Sequence, residues 1–171
     1  EIERAVACGF VVDTLFICNE ILSAEVNIEA NTIEEVSLEV FEKIAYREGS
    51  DGLLAVAIPK YADLKDFKPK KNPLIIVLET VEKPGNLGAV MRTADAAGVD
   101  AVIIADPRAG LFNPNAIRAS IGTIFCVPLF ACSSEECIEW LKANDIKIYC
   151  TYLKASIDYL EADFREGSAI V

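Results

Sequence analysis

Residues 79–98 read ETVEKPGNLGAVMRTADAAG, and they join a buried strand to an amphipathic helix. The apolar run Leu74–Leu78 comes directly before them, and a Pro-Gly pair makes the turn. We predict a helix over Asn86–Ala97 with Asn86 as its N-cap, because Asn is among the favoured capping residues. In a parallel sheet, such a strand-to-helix turn lies at the carboxyl edge, where open α/β sheets bind their ligands.

The predicted helix has two different faces. At about 100° per residue, the apolar side chains from Leu87 to Ala97 cluster on one side, as expected of a core-facing stripe. The opposite side carries Arg92 among Gly88, Ala89 and Ala96, where a solvated helix would show Lys, Glu or Gln. These small residues indicate that a ligand or a partner subunit packs close to the helix. The alternative is an alanine-rich surface helix with an unengaged arginine.

Strands and helices alternate regularly in this half of the chain. Such alternation favours an α/β fold with a parallel sheet and helices on both faces. We predict strands at Leu74–Leu78, Ala101–Ala105, Thr123–Phe130 and Lys147–Tyr152, and helices at Asn86–Ala97, Pro114–Ser120 and Ser134–Ala143. The chain ends at Ser168–Val171 in what resembles the beginning of another strand, so we expect the natural protein to continue there.

The first 59 residues predict a separate, small α/β unit. Its pattern contains a helix near the start, a strand at Thr14–Cys18, a helix at Ser37–Tyr46 and a strand at Leu53–Ile58. The helical pattern is already present at the first residue, so we also expect sequence upstream. Residues 60–72 are polar, contain Pro69 and lack a period, which predicts a linker and places the second domain at residues 73–171.

The charge of the chain is unevenly distributed. The formal net charge is −11, which argues against a nucleic-acid partner because phosphate binding normally requires a basic surface. Residues 60–72 are the exception, with five lysines and two aspartates. These lysines could contact RNA, or they could belong to a solvated linker.

Several classes of protein are disfavoured. No apolar run reaches the roughly 18 residues of a membrane span, and the first residues lack the pattern of a signal peptide, so we expect a cytoplasmic protein. The chain has no His and no Cys-x-x-Cys pair, which argues against a metal site and against His-based catalysis. Neither a P-loop nor a Gly-x-Gly-x-x-Gly segment is present.

Residues 84–94, PGNLGAVMRTA, resemble the first signature of the SpoU/TrmH RNA methyltransferases, which reads roughly Pro-x-Asn-x-Gly-Ala-x-x-Arg-Thr-Ala. The similarity continues through residues 113–122, NPNAIRASIG, which match the family's Arg-Ala-Ser-x-Gly stretch. Residues 1–59 are similar to the family's small N-terminal RNA-binding domain, which is related to a ribosomal-protein fold. The resemblance therefore covers nearly the whole chain.

The resemblance implies a knotted α/β (SPOUT) fold, a homodimer, and methyl transfer from S-adenosylmethionine to a ribose 2′-hydroxyl of rRNA or tRNA. The family's Gly-x-Glu-x-x-Gly loop and Ser-Leu-Asn helix carry most of the cofactor site. Neither occurs before Val171. The knot and the cofactor site are therefore expected to be incomplete in this chain, and the fragment to be inactive by itself.

The resemblance also implies roles for particular residues. Arg92 would lie against the reacting ribose, and Asn86 would orient it. Arg118 and Ser120 are candidates for RNA contact, although a salt bridge and a helix cap would explain them equally well. The last set of candidates would line the beginning of the cofactor pocket, and a buried strand end would look the same: Thr151, Tyr152 and Leu153.

Two rival functions remain open at this stage. One is a non-catalytic RNA-binding protein that keeps the scaffold but not the transfer reaction. The other is an acidic protein-interaction module, which the net charge of −11 favours.

Overall fold

The computed structural model describes residues 1–23, 25–47, 49–154 and 157–171. The chain divides into two units, Glu1–Lys60 and Tyr61–Val171, each with its own sheet. No helix among the described residues is long and apolar enough to cross a bilayer.

The first unit contains a three-stranded sheet in the order β2-β1-β3. Strand β1 lies parallel to β2 and antiparallel to β3. The sequence analysis missed β2 because five of its six residues are exposed, so it lacks the alternating pattern of a half-buried strand. The elements are α1 (Ile2–Ala7), β1 (Val12–Ile17), β2 (Ala30–Glu35), α2 (Leu38–Ile44) and β3 (Leu53–Ala57).

The second unit is built on a five-stranded, fully parallel sheet in the order β6-β5-β4-β8-β7. The predicted α/β class with a parallel sheet is confirmed. Alternate side chains of the central strands feed two apolar layers, so that Ile103 packs on one face and Ile104 on the other. The elements are β4 (Leu74–Glu79), α3 (Pro84–Ala97), β5 (Ala101–Ala105), α4 (Pro114–Ala119), β6 (Leu129–Cys132), α5 (Ser134–Ala143), β7 (Lys147–Tyr149) and β8 (Ser168–Ile170).

The predicted strand Thr123–Phe130 is wrong over residues 123–128, because strand β6 begins only at Leu129. Gly122 adopts a left-handed conformation with φ of 77°, and Thr123–Phe125 then form a 3₁₀ turn. Ile124 is 1% exposed in the apolar layer that also contains α3, so its burial reflects packing of the turn and not a strand. A short apolar run does not distinguish these two cases.

The lysine-rich residues 61–72 belong to the second unit. They include a 3₁₀ turn at Leu64–Asp66, where the Asp63 carboxylate accepts a hydrogen bond from the Lys65 amide at 2.9 Å. Leu64 is 4% exposed in the core, and the Phe67 ring lies 5.0 Å from the ring of Phe130. Two apolar anchors therefore hold on the sheet a stretch that the sequence analysis predicted to be a linker.

Helices α3 and α4 approach each other closely at Gly88. A Cβ atom placed on Gly88 would lie 2.7 Å from both the carbonyl carbon of Ala119 and the amide nitrogen of Ser120. The two backbones are thus in direct contact, and only glycine fits. The sequence analysis assigned the packing at Gly88 to a ligand or a second subunit, but the partner is α4 of the same chain. Ala89 and Ala96 remain exposed.

We expect Gly88→Ala to lower the free energy of unfolding of the second unit by about 1–3 kcal/mol, because the added methyl group must push two backbones apart. The better helix propensity of Ala, up to about 1 kcal/mol, does not offset this cost. Urea unfolding followed by the fluorescence of Trp140, the single Trp of the sequence, reports on this unit. Gly85→Ala is the control, since nothing lies within 4 Å of its added Cβ. Equal stability of the two variants would contradict the contact.

Candidate functional site

At the carboxyl edge of the parallel sheet, the chain turns sharply after strands β4 and β5. The residue after β4, Thr80, has φ of 49°, and the residue after β5, Asp106, has φ of 50°. Each extends the ladder by one bond before the turn: the Thr80 amide donates to the Ala105 carbonyl and the Asp106 amide to the Cys132 carbonyl, both at 2.9 Å. Positive φ is costly for a β-branched residue, and such strain is common where backbones form binding sites.

Helix α3 begins two residues earlier than predicted. Pro84 occupies its first position and Lys83 is the N-cap, so the prediction of Asn86 as N-cap is wrong. Proline favours this first position because its φ is already helical and it lacks the amide hydrogen that would go unpaired. Asn86 lies in the first turn, exposed, and its side chain makes no hydrogen bond to any described residue. Its amide group is therefore available to a ligand.

Arg92 lies one helical turn beyond Gly88, on the exposed side of α3. The neighbouring Met91 is fully buried, which fixes the rotation of the helix. Arg118 lies on α4, next to Ala119, and is also exposed. Because the two backbones touch at Gly88 and Ala119, the Cα atoms of Arg92 and Arg118 lie at most ~16 Å apart. Two long side chains so placed can reach the same anionic ligand.

Helix α4 is fixed at both ends. At its start, Pro114 occupies the first helical position and the Asn113 side chain accepts a hydrogen bond from the Asn115 amide at 2.9 Å. At its end, Ser120 is fully buried and its hydroxyl donates to the Ile117 carbonyl at 2.7 Å. Ser120 therefore closes the helix and does not face a ligand. Of the two residues predicted to contact RNA, Arg118 alone lies on the surface.

Five of the six arginines fall into two groups by their partners. Arg165 forms a two-pronged pair with Asp163 at 2.8 and 2.9 Å, which holds the pKa of that carboxyl far below its usual range. Arg47 lies 3.8 Å from Asp51. A second group makes no salt bridge within the described part of the chain, and all its members lie between β4 and β6: Arg92, Arg108 and Arg118.

The sequence analysis missed Arg108. It follows Asp106 in the loop after β5, and its neighbours Ala109, Gly110 and Leu111 line a small cavity together with residues 81–84. The loop is thus packed against the entry to α3. Its position directly after a central strand could have identified Arg108 as a candidate site residue. That it pairs with no carboxylate among the described residues is seen only in the structure.

Among the described residues, this edge carries three arginines without salt bridges and no obvious nucleophile. Burial raises the pKa of the Cys132 thiol, at the end of β6, to about 12, and the nearby Cys137 and Glu136 raise it further. Cys132 therefore stays protonated at neutral pH. Among the residues that the structure describes, no cluster of three Cys, Asp or Glu could hold a metal ion. The arrangement is suited to binding and stabilising negative charge.

The predicted cofactor residues lie beyond the end of β7. The amide and the hydroxyl of Thr151 both donate to the Val171 carbonyl, at 2.8 and 2.9 Å, which ties the segment to the end of β8. Tyr152 and Leu153 are 69% and 98% exposed, so they are not the buried strand end that was the alternative interpretation. They form an open apolar wall.

Comparison with known proteins gives a consistent result. Residues 1–55 match the MRM3-like substrate binding domain. The chain is 36% identical over 97 residues to the 23S rRNA (guanosine(2553)-2′-O)-methyltransferase RlmP of Bacillus subtilis, covering 57% of this chain and 39% of that protein.

Solved structures cover almost the whole chain. One, a crystal structure of an RNA 2′-O ribose methyltransferase, has a TM-score of 0.80 and 34% identity, with 99% of this chain and 66% of that chain covered. Another, the AdoMet-bound rRNA methyltransferase from Sinorhizobium meliloti, has a TM-score of 0.84 and 26% identity, with 99% and 65% covered. The chain thus spans less than two thirds of the length of each of these three proteins.

A family model matches residues 73–171, which is more than half of the chain. This range includes every strand and helix of the second unit from β4 to β8. The matched range contains the signature at residues 84–94, with Arg92, and the stretch at residues 113–122, with Arg118. The chain belongs to the SpoU rRNA methylase family.

Proposed function

We propose that the complete protein transfers a methyl group from S-adenosylmethionine to a ribose 2′-hydroxyl of rRNA or tRNA. The observation that carries the proposal is a pair of exposed arginines, Arg92 and Arg118, that form no salt bridge with any described residue and are held close together by the contact of Gly88 with Ala119. Guanidinium groups bind phosphate in a two-pronged geometry, which makes such a pair suitable for an RNA backbone. The names of the relatives, RNA 2′-O-methyltransferases, support the same reaction.

Arg92 is the residue proposed to act on the reacting ribose. When the 2′-oxygen attacks the methyl carbon, an O–C bond would form as the S–C bond to the sulfonium breaks and the neutral thioether leaves. The hydroxyl proton leaves to solvent, and negative charge develops on the oxygen. Guanidinium groups stay protonated in proteins, so Arg92 stabilises this charge and binds the adjacent phosphate rather than acting as the base. Such charge stabilisation contributes about 3–4 kcal/mol in other enzymes. Asn86, whose side-chain amide makes no hydrogen bond to any described residue, is proposed to position the RNA beside it.

The cofactor supplies an activated methyl group on a sulfonium centre. Thr151, Tyr152 and Leu153 fit one side of its site: Tyr152 and Leu153 offer apolar surface to an adenosine, and Thr151 anchors the segment through Val171. They cover one side only, so the rest of the site must come from elsewhere in the complete protein. Arg118 is proposed to hold the RNA while the ribose reaches Arg92.

Ribosomal or transfer RNA is the proposed partner, and residues 1–55 are proposed to contribute to its binding through the substrate-binding domain that they match. The rival proposal, an RNA-binding protein without transfer activity, predicts the same RNA affinity but no methyl incorporation. Nothing in the described site favours it over catalysis.

A homodimer is also proposed. An exposed stripe along α3 consists of Gly85, Ala89, Arg92 and Ala96. Apart from Arg92, these residues are small and allow a second helix to approach closely. Such an arrangement would place the stripe, including Arg92, beside the partner subunit.

In the complete protein, we expect Arg92→Ala to lower kcat by about 10²–10³. The variant loses a stabilisation of charge at the 2′-oxygen that acts only in the transition state. S-adenosylmethionine affinity should stay nearly unchanged. Arg92→Lys should recover little, since an ammonium group cannot make the planar two-pronged contact. Methyl incorporation into rRNA is the measurement, and Lys142→Ala, which removes an exposed charge on α5, is the control. An Arg92→Ala protein with the parent's oligomeric state and within about threefold of its rate would defeat the assignment.

We expect the complete protein to sediment as a dimer at micromolar concentration and Ala89→Glu to shift it toward monomer, because the new carboxylate would be buried without a partner. Ala143→Glu, at an exposed position on α5, should leave the assembly unchanged. A monomeric parent, or an Ala89→Glu protein that remains dimeric, would rule out this interface.

A further inference from the structure

A basic cleft lies at the amino edge of the five-stranded sheet, opposite the edge that carries the candidate site. Its volume is about 850 Å³, and it is lined by residues that precede β4, β7 and β8. Four of the ten lysines of the chain line it, in a protein with a net charge of −11, and we call it the amino-edge cleft: Lys65, Lys68, Lys70 and Lys71.

The charges of the cleft are only partly compensated. Lys70 pairs with Asp100 at 2.9 Å, and Lys65 lies 3.9 Å from Glu136 with both side chains more than half exposed. Lys68 and Lys71 pair with no carboxylate in the described part of the chain.

Two acidic residues also line the cleft, Asp145 and Glu166. Glu166 is already engaged by Lys147 at 2.7 Å. The free charge of the cleft is therefore positive.

The backbone segment that carries these lysines is held in place by its neighbours. Leu64 is buried in the core, and Phe67 packs against both Phe130 and Trp140, with ring centroids 5.0 and 5.9 Å away. On the other side of the cleft, the Asn72 side chain donates to the Arg165 carbonyl at 3.0 Å. Because the segment is anchored at both ends, a ligand need not order a flexible linker to use these charges.

We propose that the amino-edge cleft binds the sugar-phosphate backbone of RNA at a distance from the methylated nucleotide. The inference rests on the proposed function, since it assigns a second contact to the same substrate. The two edges of the sheet are about 20 Å apart, the length of a six-residue strand, so a small anion bound at one cannot reach the other. A polynucleotide can, and a preorganised lysine cluster beside aromatic rings is suited to its backbone.

The test is binding of in vitro transcribed 23S rRNA to the 171-residue chain at several salt concentrations. Lys68→Ala/Lys71→Ala should weaken binding about tenfold or more in 0.1 M salt and lower the salt slope by about 1.4–1.8, because two phosphate contacts are lost. Lys142→Ala/Lys154→Ala removes the same charge outside the cleft and should change little.

The outcomes separate this inference from the proposed function. Arg92→Ala/Arg118→Ala should also weaken binding of the rRNA. If that variant loses affinity while Lys68→Ala/Lys71→Ala binds like the parent, the cleft is not an RNA site and the proposed function stands. If neither variant loses affinity, the proposed function fails as well. An equal loss in the Lys142→Ala/Lys154→Ala control would reduce the effect to overall charge and overturn the cleft.

Discussion

The contact between the backbones of α3 and α4 at Gly88 is the constraint on which the second unit depends. Any side chain at this position would collide with the Ala119 carbonyl carbon and the Ser120 amide, so the glycine sets how deeply the helices interlock. The buried Met91 fixes the rotation of α3, and the buried Ser120 closes the end of α4. The placement of Arg92 and Arg118 follows from these three positions. A contact that is purely steric thereby arranges the charges of the site.

The charge of the protein has to be considered locally rather than as a total. The net charge is −11, yet exposed charges interact weakly beyond a screening length of about 8 Å at physiological salt. Three arginines between β4 and β6 lack carboxylate partners among the described residues, whereas Arg165 is neutralised by Asp163. Four lysines gather at the opposite edge of the same sheet. An acidic protein can therefore present two basic surfaces to a polyanion.

The turns after the central strands carry backbone strain. Thr80 and Asp106 both adopt positive φ, a conformation that typically costs about 1–3 kcal/mol when the surrounding structure imposes it. Each residue extends its strand by one hydrogen bond before the chain turns away. The additional hydrogen bonds thus offset the strain. After each strained residue the chain continues into the loops that lead to α3 and α4. The edge of the sheet is shaped by the backbone before any side chain contributes.

The sequence by itself determined the elements whose signals are local: the buried strand before residue 80, the parallel alternation and the helix Ser134–Ala143. It also determined the family through the signature at residues 84–94. Tertiary structure alone decided what depends on distant contacts. Edge strand β2 has no buried face, Ser120 turns inward, and Leu64 with Phe67 anchors a stretch that otherwise resembles a linker. Gly88 packs against α4, which is about thirty residues away in sequence. A periodic sequence pattern does not predict a contact between segments that far apart.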